Sequence, residues 1–136
     1  MLQKSGFFIV VVLIYAVAFP HLVGLAQAPV KGMSGPAEGI CVYYNDQFQG
    51  HILASGEKYD KDALAAAHKT IPFGTMVKVT NLENNKSVVV RVNDRGPHGG
   101  SKAKIIEITS RAAKDIDMIK KGKVQVQIEI VESAKK

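Results

Sequence analysis

The chain has 136 residues and a formal net charge of +6, from 18 Lys and Arg against 12 Asp and Glu. That length allows one domain, and 46% hydrophobic with 22% charged residues exclude both a disordered tail and a membrane bundle. One cysteine excludes a disulfide scaffold and a cysteine-based zinc site, and no phosphate loop or dinucleotide fingerprint supports a nucleotide enzyme.

Lys4 is the only charge ahead of an unbroken apolar run over residues 7–19. Pro20 and His21 end the run, and Ala26-Gln27-Ala28 follows. A basic start, an apolar stretch and a small-residue cleavage site predict a secretory signal peptide over residues 1–28. The run is short of the roughly 20 residues that a membrane span needs; a retained anchor reaching Leu25 is the alternative. An exported basic chain meets wall polymers in the periplasm, envelope or medium rather than nucleic acid. No stable membrane span is expected after cleavage. Residues 29–38, rich in Pro, Gly and Ala, read as a short linker, leaving residues 39–133 as the domain. Cys41 has no partner, and the preceding Glu38-Gly39-Ile40 does not suit a lipidation site, so it is expected as a buried small hydrophobe.

Strand-like runs then follow one another. Residues 40–44 form the first, and 76–82 alternate with Val77 and Val79 on one face. Residues 87–93 are β-branched, and Glu83-Asn84-Asn85-Lys86 between these two runs reads as a hairpin turn. Residues 104–108 make another strand. Residues 124–131 alternate most cleanly, with Val124, Val126, Ile128 and Ile130 on one face. The one helix signal is Ser110 as a cap for residues 111–116. Many short strands in about a hundred residues predict a mainly β sandwich or small barrel.

Polar residues gather where the strand pattern breaks. Ala54-Ser55-Gly56-Glu57 presents a carboxylate on a small-residue turn. Ala65-Ala66-Ala67-His68 ends a compact run in a histidine. Asp94-Arg95-Gly96-Pro97 follows a valine-rich strand, whose end would fix the carboxylate at a rim. Two carboxylates are what glycosidic chemistry uses, one to protonate a leaving oxygen and one to stabilise a cationic ring. A free Asp titrates near about 3.9, so acid work near neutrality needs burial or a negative neighbour. Each residue also has a plainer reading: Asp94-Arg95 as a surface ion pair, His68 as a hydrogen-bonded core histidine, Glu57 as a solvated side chain. His51, His68 and His98 lack metal-ligand spacing, so no metal is expected.

Several ordered segments together resemble the rare lipoprotein A (RlpA) family. They are Tyr43-Tyr44, Phe48-Gln49-Gly50, Ala54-Ser55-Gly56-Glu57-Lys58-Tyr59-Asp60, and the run from Ala66 through His68 to Thr75. Val79-Thr80-Asn81-Leu82, the block Val90-Arg91-Val92-Asn93-Asp94-Arg95-Gly96-Pro97, and Ile105-Ile106-Glu107-Ile108-Thr109 continue the likeness, which covers about residues 39–131. The resemblance implies a six-stranded double-psi β-barrel with one or two short helices. It also implies endolytic, lytic-transglycosylase cleavage of peptidoglycan glycan strands, preferring strands that lack stem peptides and leaving 1,6-anhydromuramic acid ends. The family's catalytic positions fall on Glu57, His68 and Asp94. Asp94 would serve as acid and then as base, Glu57 would stabilise ring charge, and His68 would orient a carboxylate or a substrate group. Substrate contacts are expected from Arg95, Tyr44, Ser55, Lys69 and Glu107. No cofactor is implied, and a monomer is expected. Two departures stand out: Leu53 where the family usually has Thr, and Glu107 where it usually has Asp. They keep open a non-catalytic, expansin-like wall-binding module, and more weakly a structural or inhibitor-binding barrel. Stripped glycan is anionic, so Arg95, Lys69 and Arg91 predict binding that weakens with salt.

Overall fold

Alternation along the strands sets the architecture. In the strand Ser87–Asp94, Val88, Val90 and Val92 are buried, whereas Ser87 and Val89 face solvent. Val77 and Val79 do the same in Met76–Asn81, and Val124, Val126 and Ile128 in Lys123–Glu132. A period of two puts one face of each strand on a common core. The computed structural model describes residue 33 and residues 35–135. The expected signal peptide and half of the linker, residues 29–32 and 34, lie outside the described residues. Among the described residues no helix is long and apolar enough to cross a membrane.

Six strands close on one another: β1 (Ala37–Tyr43), β2 (Ala65–Ala67), β3 (Met76–Asn81), β4 (Ser87–Asp94), β5 (Lys104–Ile108) and β6 (Lys123–Glu132). Their order round the barrel is β1-β5-β2-β4-β3-β6. β1 pairs with β5, and β2 with β4, in parallel; the other four pairings are antiparallel. This is the mainly β, six-stranded double-psi barrel that the resemblance implies. Closure leaves no strand edge unpaired. The interior is filled by Cys41, Ala66, Val77, Val79, Val90, Val92, Ile106, Ile108, Val126 and Ile128. Cys41 is fully buried, as expected of a small hydrophobe.

Four details differ from the sequence reading. β1 starts at Ala37, because Ala37 and Glu38 already pair with Ile128 and Gln127 of β6; the linker therefore gives up its last two residues. β3 ends at Asn81, one residue early. The side chains of Asn81 and Asn84 both donate to the Ile116 carbonyl, at 2.9 and 3.1 Å, and tie the hairpin to the end of the helix α1 (Ser110–Asp115). Asn85 takes the left-handed conformation expected of that turn, with φ 61°. Thr109, not Ser110, caps α1: its hydroxyl accepts from the Ala112 N–H, while Ser110 Oγ donates to Asp46 at 2.6 Å. Finally, β2 is a strand made of three alanines, which their propensity does not announce. Ala66 points into the barrel and Ala67 packs outside it under Tyr44, Leu53 and Tyr59. Small side chains let the segment between β1 and β2 lie close against the barrel wall, and a further cluster is buried there.

Candidate active site

A bulge creates the centre of the site. Ala66 of β2 pairs with Val92 of β4, but Ala67 pairs with Asp94, so Asn93 is an extra residue on β4. Val88, Val90 and Val92 point inward. Without the bulge Asp94 would follow them into the core; with it, Asp94 turns to the outer face beside Ala67. Re-aiming a side chain is a common use of bulges near active sites. The Asp94 carboxylate is held at both oxygens. Oδ2 accepts from the Tyr44 hydroxyl at 2.5 Å, and Oδ1 accepts from the Ala54 N–H at 2.9 Å. Burial, then the hydrogen bond to Asp94, pushes the Tyr44 hydroxyl well above its usual range, so it remains a proton donor.

The Ala54 bond places Asp94 against the turn that carries Glu57. Leu53 N–H donates to the Glu57 carbonyl at 2.7 Å, Gly56 N–H returns to Leu53 at 2.9 Å, and Gly56 takes φ 89°, a conformation that glycine adopts without strain. Leu53 is buried against Tyr44, Tyr59 and Ala67, so its side chain anchors the turn. Glu57 Oε1 accepts from Arg91 Nη2 at 2.6 Å, and Oε2 accepts from Ser55 Oγ at 3.3 Å. The hydrogen bond from Arg91 holds the Glu57 carboxyl below the usual range, against a smaller opposing effect of burial. Glu57 is therefore a charged acceptor near neutrality. A cavity of about 260 Å³ opens beside it, with Tyr59, Leu64, Arg91, Asn93 and Thr109 in its walls.

His68 follows β2 and reaches Asp94 through the backbone: its N–H donates to the Asp94 carbonyl at 3.2 Å. Its ring turns into its own loop. Nδ1 accepts from the N–H groups of Thr70 and Ile71, at 3.1 and 3.0 Å, so the ring proton sits on Nε2. Burial, with the charges of Arg95 and Lys69, lowers its pKa to about 4, and the ring is neutral near neutrality. Arg95 fastens the same loop. Its Nη1 donates to the carbonyls of His68 and Ile71, at 3.1 and 2.8 Å, and its guanidinium lies 4.0 Å above the Phe73 ring.

Glu107 stands one strand away. On β5 it lies opposite both Val42 of β1 and Ala67 of β2. Ala67 thus faces Asp94 on one side and Glu107 on the other, and residues in register point to the same face. At about 4.8 Å per strand, the two backbones are roughly 10 Å apart, with Ala67 between them and Tyr44 packed over it. Burial and the Asp94 charge push the Glu107 carboxyl above its usual range.

The structure brings Asp94, Glu57, His68, Tyr44, Ser55, Arg95 and Glu107 to one end of the barrel. Lys69 is exposed beside His68 and has no ion-pair partner among the described residues. Of the three cations expected to grip an anionic strand, Arg91 is paired with Glu57 and Arg95 is engaged with two carbonyls and Phe73. Lys69 alone is uncommitted. Sequence reasoning missed the Ala54 N–H, which has no side-chain signature, and the bulge residue Asn93. It also missed Phe48 and Phe73 as neighbours of the site, although both lie within the segments that carry the resemblance.

Residues 37–128 match a family model described as "Lytic transglycolase". A Campylobacter jejuni protein named "Endolytic peptidoglycan transglycosylase RlpA" is 47% identical over 102 residues, 75% of this chain and 36% of that one. A Vibrio cholerae protein of the same name is 42% identical over 113 residues, 82% of this chain and 42% of that one. The chain therefore spans well under half the length of these curated relatives. Among solved structures, a Streptomyces papain inhibitor superposes with TM-score 0.58 at 22% identity, over 78% of this chain and 100% of that one. An apo expansin from Clavibacter michiganensis gives TM-score 0.56 at 18% identity, over 74% and 52%. At these identities the two structures speak for the barrel fold alone.

Proposed function

The chain belongs to the lytic transglycolase family, and on that premise we propose that it is an exported endolytic peptidoglycan lytic transglycosylase. Its substrate is the glycan strand, preferentially without stem peptides, met in the periplasm or at the cell envelope. The observation that carries the reading is the convergence of Asp94, the Glu57 turn and the His68 loop at the end of β4.

In this mechanism protonated Asp94 gives its proton to the glycosidic oxygen as the bond from that oxygen to C1 breaks. Positive charge spreads over C1 and the ring oxygen, and the Glu57 carboxylate, kept ionised by Arg91, stabilises it. Asp94, now a carboxylate, takes the proton of the sugar's own 6-hydroxyl while that oxygen bonds to C1. The products are a 1,6-anhydro end and a free 4-hydroxyl, with no water consumed. Tyr44 and the Ala54 N–H fix the Asp94 carboxyl through both transfers. His68 acts as a positioning residue, since its ring holds the loop to which Arg95 is fastened.

Mass spectrometry of stripped glycan incubated with the protein tests this. Wild type should leave 1,6-anhydro ends, and Asp94→Asn should slow their appearance by about 10²–10⁴-fold. Reducing ends would identify a hydrolase. Intact strands that co-sediment with the protein would identify a wall-binding module instead. Wild-type rates from Asp94→Asn would remove Asp94 from the chemistry.

A further inference from the structure

Two aromatic rings stand partly exposed beside the residues that surround Asp94. Phe48 is 45% exposed and Phe73 36% exposed. Neither belongs to the barrel core or to the cluster under the loop. Each is nevertheless held by a specific contact. Phe48 meets Tyr44 edge-on at 6.0 Å and His51 edge-on at 5.4 Å. Phe73 carries the Arg95 guanidinium on one face at 4.0 Å. Tyr44 is the residue whose hydroxyl binds Asp94, and Arg95 is its chain neighbour. The rings reach the site through different neighbours. Phe48 follows β1 and touches the Tyr44 that binds Asp94, whereas Phe73 precedes β3 and touches Arg95. Along the arc of the closed ring that carries Asp94, β5, β2 and β4 lie between β1 and β3; along the other arc β6 does.

Exposing a large apolar ring to water has a cost that a monomeric surface normally avoids in clusters, and rings fixed beside a polar centre mark recognition surfaces. A pyranose ring presents axial C–H bonds, an apolar face edged by hydroxyls. Such a face fits a flat aromatic ring, whose negative π-face attracts polarised C–H groups. Immobilised rings lose little entropy when a sugar settles on them. We propose that Phe48 and Phe73 are stacking platforms for two sugar rings of the glycan strand, one on each side of the bond presented to Asp94. The proposal deepens the transglycosylase reading and rests on its placement of the scissile bond at Asp94.

The test separates planarity from greasiness. Binding of stripped glycan strands is measured in an Asp94→Asn background, so that no cleavage intervenes. Phe48→Leu and Phe73→Leu should each weaken binding by about tenfold. Phe48→Trp and Phe73→Trp, which keep a flat ring, should bind within about twofold of the parent. Ile52→Ser is the control. Ile52 is 66% exposed on the same loop as Phe48, and its loss should leave binding unchanged. With active protein and short defined strands, Phe48→Leu and Phe73→Leu should move the position of cutting in opposite directions. Leucine variants that bind like the parent would overturn the proposal. So would tryptophan variants as weak as the leucine ones, an Ile52→Ser loss as large as that of Phe48→Leu, or cut positions that move together. If wild type leaves no anhydro ends but the leucine variants still lose binding, the platforms stand and the transglycosylase reading fails alone.

Discussion

His68 illustrates how a residue can look catalytic while much of its work is structural. Its Nδ1 receives two backbone N–H groups, so His68→Ala strands both donors, at about 1–3 kcal/mol in total. An asparagine side chain places an acceptor close to the position of Nδ1. We expect His68→Asn to unfold near the wild-type denaturant midpoint and His68→Ala well below it; equal midpoints for the two variants would count against the loop-holding role. The wild type should also lose stability as pH falls from about 6.5 to about 4, because in that window the unfolded chain binds a proton that the folded ring resists. Glu107 has the opposite sign. Burial and Asp94 raise its folded pKa, so above the unfolded value of about 4.3 the native state holds a proton that the unfolded chain has released. Its contribution therefore becomes unfavourable as pH rises through that window, although His98 and Lys104 soften the effect. Glu107→Gln should stabilise the protein at neutral pH and not at pH 3, as read by thermal melts at the two values. A gain that did not change with pH would refute the buried-acid account.

At the scale of elements, two of the three bulges in the barrel bear on the site and on the β1 seam. One turns Asp94 outward. The other lies where β1 meets β5: Ile40 pairs with Lys104 and Cys41 with Ile106, so Ile105 is the extra residue. Gly39 makes that closeness possible. A Cβ there would stand 2.6 Å from Ile105 Cγ2 and 2.9 Å from the Ala103 carbonyl oxygen, and the second of these cannot swing aside. Gly39→Ala should cost about 1–3 kcal/mol in denaturant titrations; a wild-type midpoint would mean that the strands part more easily than their spacing implies. These bulges also mark what sequence could and could not tell. Strands with a two-residue period, such as Val124 to Ile130, were legible because burial on one face writes itself into the pattern. β2 was not, since three alanines buried on both faces have no alternation to show. The polar clusters around Glu57, His68 and Asp94 were visible as residues. Their convergence was not, because it depends on a one-residue slip between β2 and β4 and on a backbone N–H at Ala54. Phe48 and Phe73 are visible in the sequence only as parts of motifs, because exposure beside a polar centre cannot be read from residue type.

The six strands form a closed ring in which each has two neighbours, and β1 is fastened to β5 on one side and β6 on the other. Cys41 sits on the inner side of β1, fully buried, with a thiol pushed well above its usual range by burial and by the Glu107 charge. Its backbone is paired on both sides, with Ile106 of β5 and Val124 of β6. The lone thiol is therefore a clock for the opening of the ring itself: a thiol-modifying reagent can react only as often as the barrel comes apart. The free energy of opening obtained from labelling rates should equal that from global unfolding, and should fall with urea at the same slope. A shallower slope would reveal a smaller door in the wall, and would place it at the β1 seam.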